Sequence, residues 1–207
     1  MRRFFFLGID LVLVLFSLWI HDRVRVRMAE RRSDGEAASR QRATDNPFAR
    51  VDWIGSVLLP VYLVLRSLPL LGWTKFLDLD EEKLRSPRRD GMLIALAGPL
   101  ANLLLAAAGI AAYRGLAATG QMGSPFLSHI VPFFCLANAN LAVFNLLPIP
   151  PFSGAIAAER FLGGDALSCF EEIKPYGFLL LLVGVYFNFF DFITIPVSRL
   201  VNSLLGF

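Results

Sequence analysis

Five stretches of the chain are apolar and long enough to be read as membrane helices, and polar, arginine-bearing stretches separate them. They run near residues 4–20, 53–73, 92–113, 126–147 and 176–195, with polar loops at 21–50 and 74–90. A bilayer core about 30 Å thick needs roughly 20 helical residues to cross it. Only helices and closed barrels satisfy every backbone group in lipid, and these runs are too continuous for barrel strands. The pattern predicts an all-α membrane protein, a polytopic helical bundle of about four to six membrane segments. All 207 residues are expected to form one integral membrane domain.

Local signals refine this picture. Arg2 and Arg3 precede the first run, and His21-Asp22-Arg23 follow it rather than a small-residue cleavage site, so it reads as a retained span. The second run holds Pro60, Arg66 and Pro69 and should be bent or only partly inserted. Ala97, Gly98 and Ala101 in the third run predict close packing against the fourth. Pro148, Pro150 and Pro151 should end the fourth helix near Leu147, with an extended segment after it. Pro196 should break the fifth. From Asp22 to Met28, Arg alternates with Val or Met, which suits an edge strand or a snorkelling interfacial helix. Gly35 to Arg42 reads as flexible.

Composition agrees with a membrane setting. Hydrophobic residues make up 56% and charged residues 18%, below the quarter a wet surface requires, and mean hydropathy is +0.57. These values exclude a disordered chain, a disulfide scaffold and an ordinary soluble enzyme. The net charge of +3 is concentrated in the two polar loops, as in loops between spans, so nucleic acid is not expected as a partner. If all five runs cross, Lys and Arg divide almost evenly between the two sides, and the positive-inside rule decides nothing. Cys135 and Cys169 lack zinc-type spacing and read as structural.

Four patches in order carry more than any one alone. They are Asp52-Trp53-Ile54-Gly55-Ser56-Val57-Leu58-Leu59-Pro60, RSPRRDGM at 85–92, LAGPLANLLL at 96–105 and FNLLPIPPFSG at 144–154. Together they resemble the site-2 protease family of intramembrane zinc metalloproteases in its short prokaryotic form, over roughly Trp19 to Arg160. That resemblance implies a zinc site made by HExxH at the end of an early span and by the Asp of LDG. In such a motif two histidines at i and i+4 ligate one ion, the Glu acts as general base, and the Asp is the third ligand.

Here the corresponding residues are altered. HExxH reads His21-Asp22-Arg23-Val24-Arg25, so His21 stands at the first ligand, Asp22 at the base and Arg25 at the second ligand. Ser153 stands where the Asp of LDG belongs. Arg has no acceptor and stays charged, and Ser is a poor zinc ligand. No intact catalytic or metal residue is therefore assigned, and no cofactor is expected. His21 reads as a hydrogen-bonded interfacial histidine or a residual ligand. Asp22 and Arg25 read as a local ion pair, or Arg25 as a tethered cation in the vacated metal position.

Other polar groups lie in the spans. Asp10 is eleven residues from His21, hence on the same helix face, and pairing with Arg66 of the second run is the expected arrangement. Asn102, Asn138, Asn140 and Asn145 are expected to bond between helices.

The functional expectation is a catalytically inactive, site-2-protease-like scaffold, subunit or assembly factor. Its partners would be the lipid bilayer and transmembrane helices or subunits of a membrane complex, in a prokaryotic cytoplasmic membrane. The alternative is an active intramembrane zinc metalloprotease with an unorthodox ligand set, in which case zinc is the cofactor.

Overall fold

The computed structural model describes residues 2–33, 52–66, 68, 70–75, 84–120 and 124–207. Most of the loop at 21–50, including the stretch 35–42, and residues 76–83 lie outside the described residues, as does Pro69. The described chain is helical, with a single isolated bridge between Ser33 and Leu84 as its β-type pairing.

Helix α1 spans Arg2–Arg32, α2 spans Leu59–Leu65 behind a π-helical segment Trp53–Leu58, and α3 spans Pro87–Ala118. Helices α4 (Pro125–Leu146), α5 (Ser153–Glu159), α6 (Asp165–Ile173), α7 (Gly177–Tyr186) and α8 (Asp191–Leu205) complete the chain. Three helices, α1, α3 and α4, are long and apolar enough to cross a membrane. The pair formed by α6–α7 and α8, bent by 67°, makes a fourth span if counted as one. The chain is an all-α membrane helical bundle, and its count of crossings falls at the low end of the sequence expectation.

Three boundaries bear on the reading of the sequence. First, α1 does not stop at Ile20 but continues as helix through the Arg/Val alternation to Arg32. Arg25, Val26 and Ala29 are buried there, so a 3.6-residue period overrides the apparent period of two. Second, the last span breaks at Phe187–Phe190, where Asn188 takes the left-handed φ of 54° that Asn tolerates. Pro196 instead sits inside α8, since neighbouring helices make such a proline tolerable in a span. Third, α4 does end as expected, with Leu147 in an extended conformation before Pro148. The prolines then form a turn rather than an extended run, closed by Phe152 N–H donating to the Ile149 carbonyl at 2.9 Å.

The stretch from Trp53 to Trp73 contains no helix long enough to cross a membrane among the described residues; its helical part, Trp53–Leu65, is short. Ser33 pairs with Leu84, the Arg85 N–H donates to the Arg32 carbonyl at 3.3 Å, and Arg32 pairs with buried Asp90 at 3.1 Å. The end of α1 and the start of α3 are thus side by side. Between them, Asp52 Oδ1 caps the turn by accepting from Ile54 N and Gly55 N at 3.0 and 2.8 Å. Ser56 Oγ donates to the Trp73 carbonyl at 2.8 Å, and Gly55 lies so close to the Trp73 indole that no side chain fits at 55. The two limbs are therefore locked side by side. They bury Leu59, Leu63, Leu71 and Trp73 against Phe144, Phe152, Leu181 and Phe190.

Small residues do bring α3 and α4 together, with Gly109 and Ala106 among them. Gly109 admits Cys135, whose Sγ would lie 2.7 Å from a Cβ there, and Ala106 packs with Ala139. Gly98 faces α1 instead.

Candidate functional site

His21, Asp22 and Arg25 are buried on α1, at 1%, 6% and 3% exposure. Asp10, Ser17, His21 and Arg25 repeat at helical spacing, so one stripe of α1 carries polar groups into the bundle. His21 Nδ1 lies 2.7 Å from Asn102 Oδ1 on α3. Asn102 Nδ2 donates to Asn138 Oδ1 on α4 at 3.1 Å, and Asn138 Nδ2 donates at 2.9 Å to Ser17 Oγ back on α1. Ser17 Oγ then donates to the Leu13 carbonyl at 2.8 Å. The direction of this chain makes Asn102 Oδ1 an acceptor, so the Nδ1–H of His21 donates to it.

The network joins three helices with four fully buried side chains. Gly98 makes it possible: a Cβ there would fall on the His21 ring, so AGPLAN supplies both the space for the imidazole and, one turn on, its Asn102 partner. Arg25 Nη1 donates to the buried Thr74 hydroxyl at 3.3 Å. Trp73, next in the chain, meets Phe152 edge-on at 6.2 Å, and Ser153 follows Phe152 as the buried first residue of α5. His21 and the three altered positions Asp22, Arg25 and Ser153 thus come from two regions, linked through Thr74, Trp73 and Phe152. Asn145 fastens the same limb, donating to the Gly72 carbonyl at 2.9 Å.

With this arrangement of helices, limb and PIPP corner in place, two known proteins are similar to the chain over most of its length. "Putative zinc metalloprotease YwhC" of Bacillus subtilis (strain 168) is 28% identical over 192 residues, covering 88% of this chain and 84% of that protein. "Putative zinc metalloprotease Rip2" of Mycolicibacterium smegmatis is 28% identical over 186 residues, covering 88% of this chain and 69% of that protein. Both relatives carry the name of a zinc metalloprotease, and this similarity supports the site-2-protease-like resemblance of the chain. No family model matches it, and no solved structure matches it.

The names of both relatives raise the question of zinc. Among the described residues, no three His, Cys, Asp or Glu side chains come together as a metal group. At the positions that the resemblance assigns to ligands, His21, Arg25 and Ser153, stand one imidazole, one guanidinium and one hydroxyl. The imidazole has committed Nδ1 to Asn102, and the guanidinium is buried beside the same helix face with no lone pair to give. These residues do not fit a catalytic zinc, which takes three protein donors of nitrogen, sulfur or carboxylate type. His21 instead joins Asn102, Asn138 and Ser17 in a polar clamp on α1, α3 and α4.

Two expectations about other polar groups change. Asp10 pairs with His129 at 3.0 Å, not with Arg66. The first turns of α1 meet the first turns of α4, whereas Arg66 ends α2 at an exposed position. Asn140 is buried, and its carboxamide makes no interhelical bond among the described residues. Sequence reasoning misses Ser17 and Thr74. The place of Ser17 on the Asp10–His21 stripe is a signal that could have found it; nothing near Thr74 points to Arg25.

Proposed function

We propose that this chain is a catalytically silent member of its family, which keeps a membrane scaffold for holding transmembrane helices. It works as a subunit or assembly factor of a larger membrane complex, in a prokaryotic cytoplasmic membrane. One observation carries this reading. Arg25 occupies the second ligand position, buried and hydrogen-bonded to Thr74. A fixed cation at that place repels a divalent ion in a low-dielectric setting, where like charges cost most.

The scaffold half of the reading rests on the fold. The polar clamp of His21, Asn102, Asn138 and Ser17 holds α1, α3 and α4 together without a metal, so the bundle that handles transmembrane helices in the family can persist without the chemistry. A second reading is an active intramembrane zinc metalloprotease with an unorthodox ligand set. It draws on the names of both relatives and on His21, whose Nδ1 contact leaves Nε2 for another partner.

Elemental analysis of the purified full chain, with proteomics of what co-purifies from native membranes, separates the two. The scaffold reading expects zinc far below one per chain and membrane proteins as stable companions. About one zinc per chain, with chelator-sensitive cleavage of a transmembrane substrate, overturns it in favour of the protease.

A further inference from the structure

A groove runs beside α4 between α1 and α8, away from His21. It consists of two neighbouring cavities of about 380 and 420 Å³ that share Leu68, Leu70 and Phe133 in their walls. In the first, Asn140 is only 3% exposed, and its carboxamide oxygen has no hydrogen-bond partner among the described residues. Facing it, α8 lines the cavity with Asp191, Thr194, Ser198 and Asn202, spaced at i, i+3, i+7 and i+11 and so along one helix face. Arg199 lines it as well.

An orphaned acceptor and a ladder of polar groups are costly within an apolar bundle. Asn140 is fifteen residues from Pro125 and six from Leu146, which puts it about 22 Å and about 9 Å from the two ends of α4. That depth lies within the hydrocarbon, beyond lipid headgroups, and acyl chains bring no hydrogen-bonding atoms. Water can fill a polar cavity of this size, and a partner that replaces it at this depth is a polar group carried into the membrane on a protein segment. The Asn140 oxygen needs a donor, while Arg199 and Asn202 offer donors of their own. A carboxamide answers both needs, with its NH₂ for Asn140 and its oxygen for the groups on α8.

We propose that this groove is the docking site for a partner's transmembrane helix that presents an Asn or Gln side chain, with Asn140 as the recognition residue. The cavity is too small for a whole helix about 10 Å across, so the helix lies along the lipid-facing opening and inserts the carboxamide. The proposal rests on the helix-binding reading above and adds where the helix sits and what it presents.

The test uses the full chain in lipid nanodiscs, with the photo-crosslinker benzoylphenylalanine replacing Ile195, a half-exposed residue of the cavity wall, or, in a second variant, exposed Leu104 on α3 outside the groove. The probes are two synthetic oligoleucine transmembrane peptides, one with a single central Asn and one without. Crosslinking of the Asn peptide is expected to exceed that of the all-Leu peptide by about three- to tenfold, the range of one interhelical hydrogen bond. Asn140→Leu should abolish the difference, and Thr194→Val, a near-isosteric change on the opposite wall, should reduce it if Asn140→Leu fails to fold. Equal capture of both peptides overturns the groove as a reader of polar groups and leaves helix binding standing. Capture of phospholipid in place of peptide at position 195, with peptide crosslinks at position 104, also overturns the groove alone. Capture of neither peptide at either position overturns the helix-binding reading and the groove with it.

Discussion

Gly98 of α3 lies directly against the imidazole of His21 on α1, and any β-carbon at position 98 would occupy the space of the ring. The contact fixes how closely α1 and α3 approach and holds His21 where Asn102 can bond it. Gly98→Leu is therefore expected to push the helices apart and break the buried network, lowering yield and producing aggregates in size-exclusion chromatography. Gly98→Ala should be the milder change, costing roughly 1–3 kcal/mol as overpacking does. A Leu variant that is as monodisperse and heat-stable as the parent would show that this contact does not set the helix spacing.

Asn102 both accepts from His21 and donates to Asn138, so it sits in the middle of the chain that joins the three helices. Replacing it with Leu leaves two buried polar atoms without partners, at a cost of about 1–3 kcal/mol. Asn102→Ala and Asn138→Ala should also be non-additive, because either one already breaks their shared bond. Unfolding of both single variants and the double variant in detergent measures the coupling. Strict additivity would mean that the two amides act independently.

Membrane orientation can be predicted from one pairing. Because Ser33 pairs with Leu84 and Arg32 with Asp90, the end of α1 and the start of α3 share one side. Exposed Arg27, Arg31, Arg85, Arg88 and Arg89 then gather there, while Arg114 marks the far end of α3. Arg2 and Arg3 lie with Arg114 at the opposite end, so the positive-inside rule, undecided for five crossings, predicts a cytoplasmic location for the Arg-richer side. In a Cys-free background, Arg31→Cys and Arg88→Cys should resist a membrane-impermeant maleimide in right-side-out vesicles. Gly120→Cys should react. The reverse labelling pattern would invert this topology.

These cases also show what could be read from the sequence. The spans α1, α3 and α4 were legible because hydropathy alone sets them, and Pro148 fixed the end of α4 by local sterics. AGPLAN and the altered HDRVR and FSG positions were visible as motifs. The role of Gly98 was not, since small residues announce a close approach without naming the helix that approaches. The placing of the end of α1 beside the start of α3 depends on the Ser33–Leu84 and Arg32–Asp90 contacts, which join residues more than fifty apart. Asp10 chose His129 over Arg66 for the same reason: a long-range helix arrangement decides between two chemically suitable partners.

The degenerate site itself can be tested by rebuilding it. In a zinc site, a ligating histidine is held by a second-shell acceptor on its other ring nitrogen, which fixes the tautomer and leaves the second nitrogen for the ion. His21 already has that support, because its Nδ1–H donates to Asn102. The support survives although the neighbouring ligand positions hold Arg25 and Ser153, so the triple change Asp22→Glu, Arg25→His and Ser153→Asp should restore a usable set. His at position 25 stands one turn from His21 on the same face. Removal of the guanidinium ends the like-charge repulsion, and Ser153 heads the buried α5, so an Asp there would supply the carboxylate from the other region. The triple variant in nanodiscs is expected to take up zinc at near-stoichiometric level, with affinity at least about tenfold above the parent. Adding Asn102→Ala to it should lower that affinity again by about 10–100-fold, the usual effect of losing a second-shell partner. If the triple variant folds but binds zinc no better than the parent, the two regions do not meet as in an ancestral metal site, and the chain's polar clamp did not arise from one.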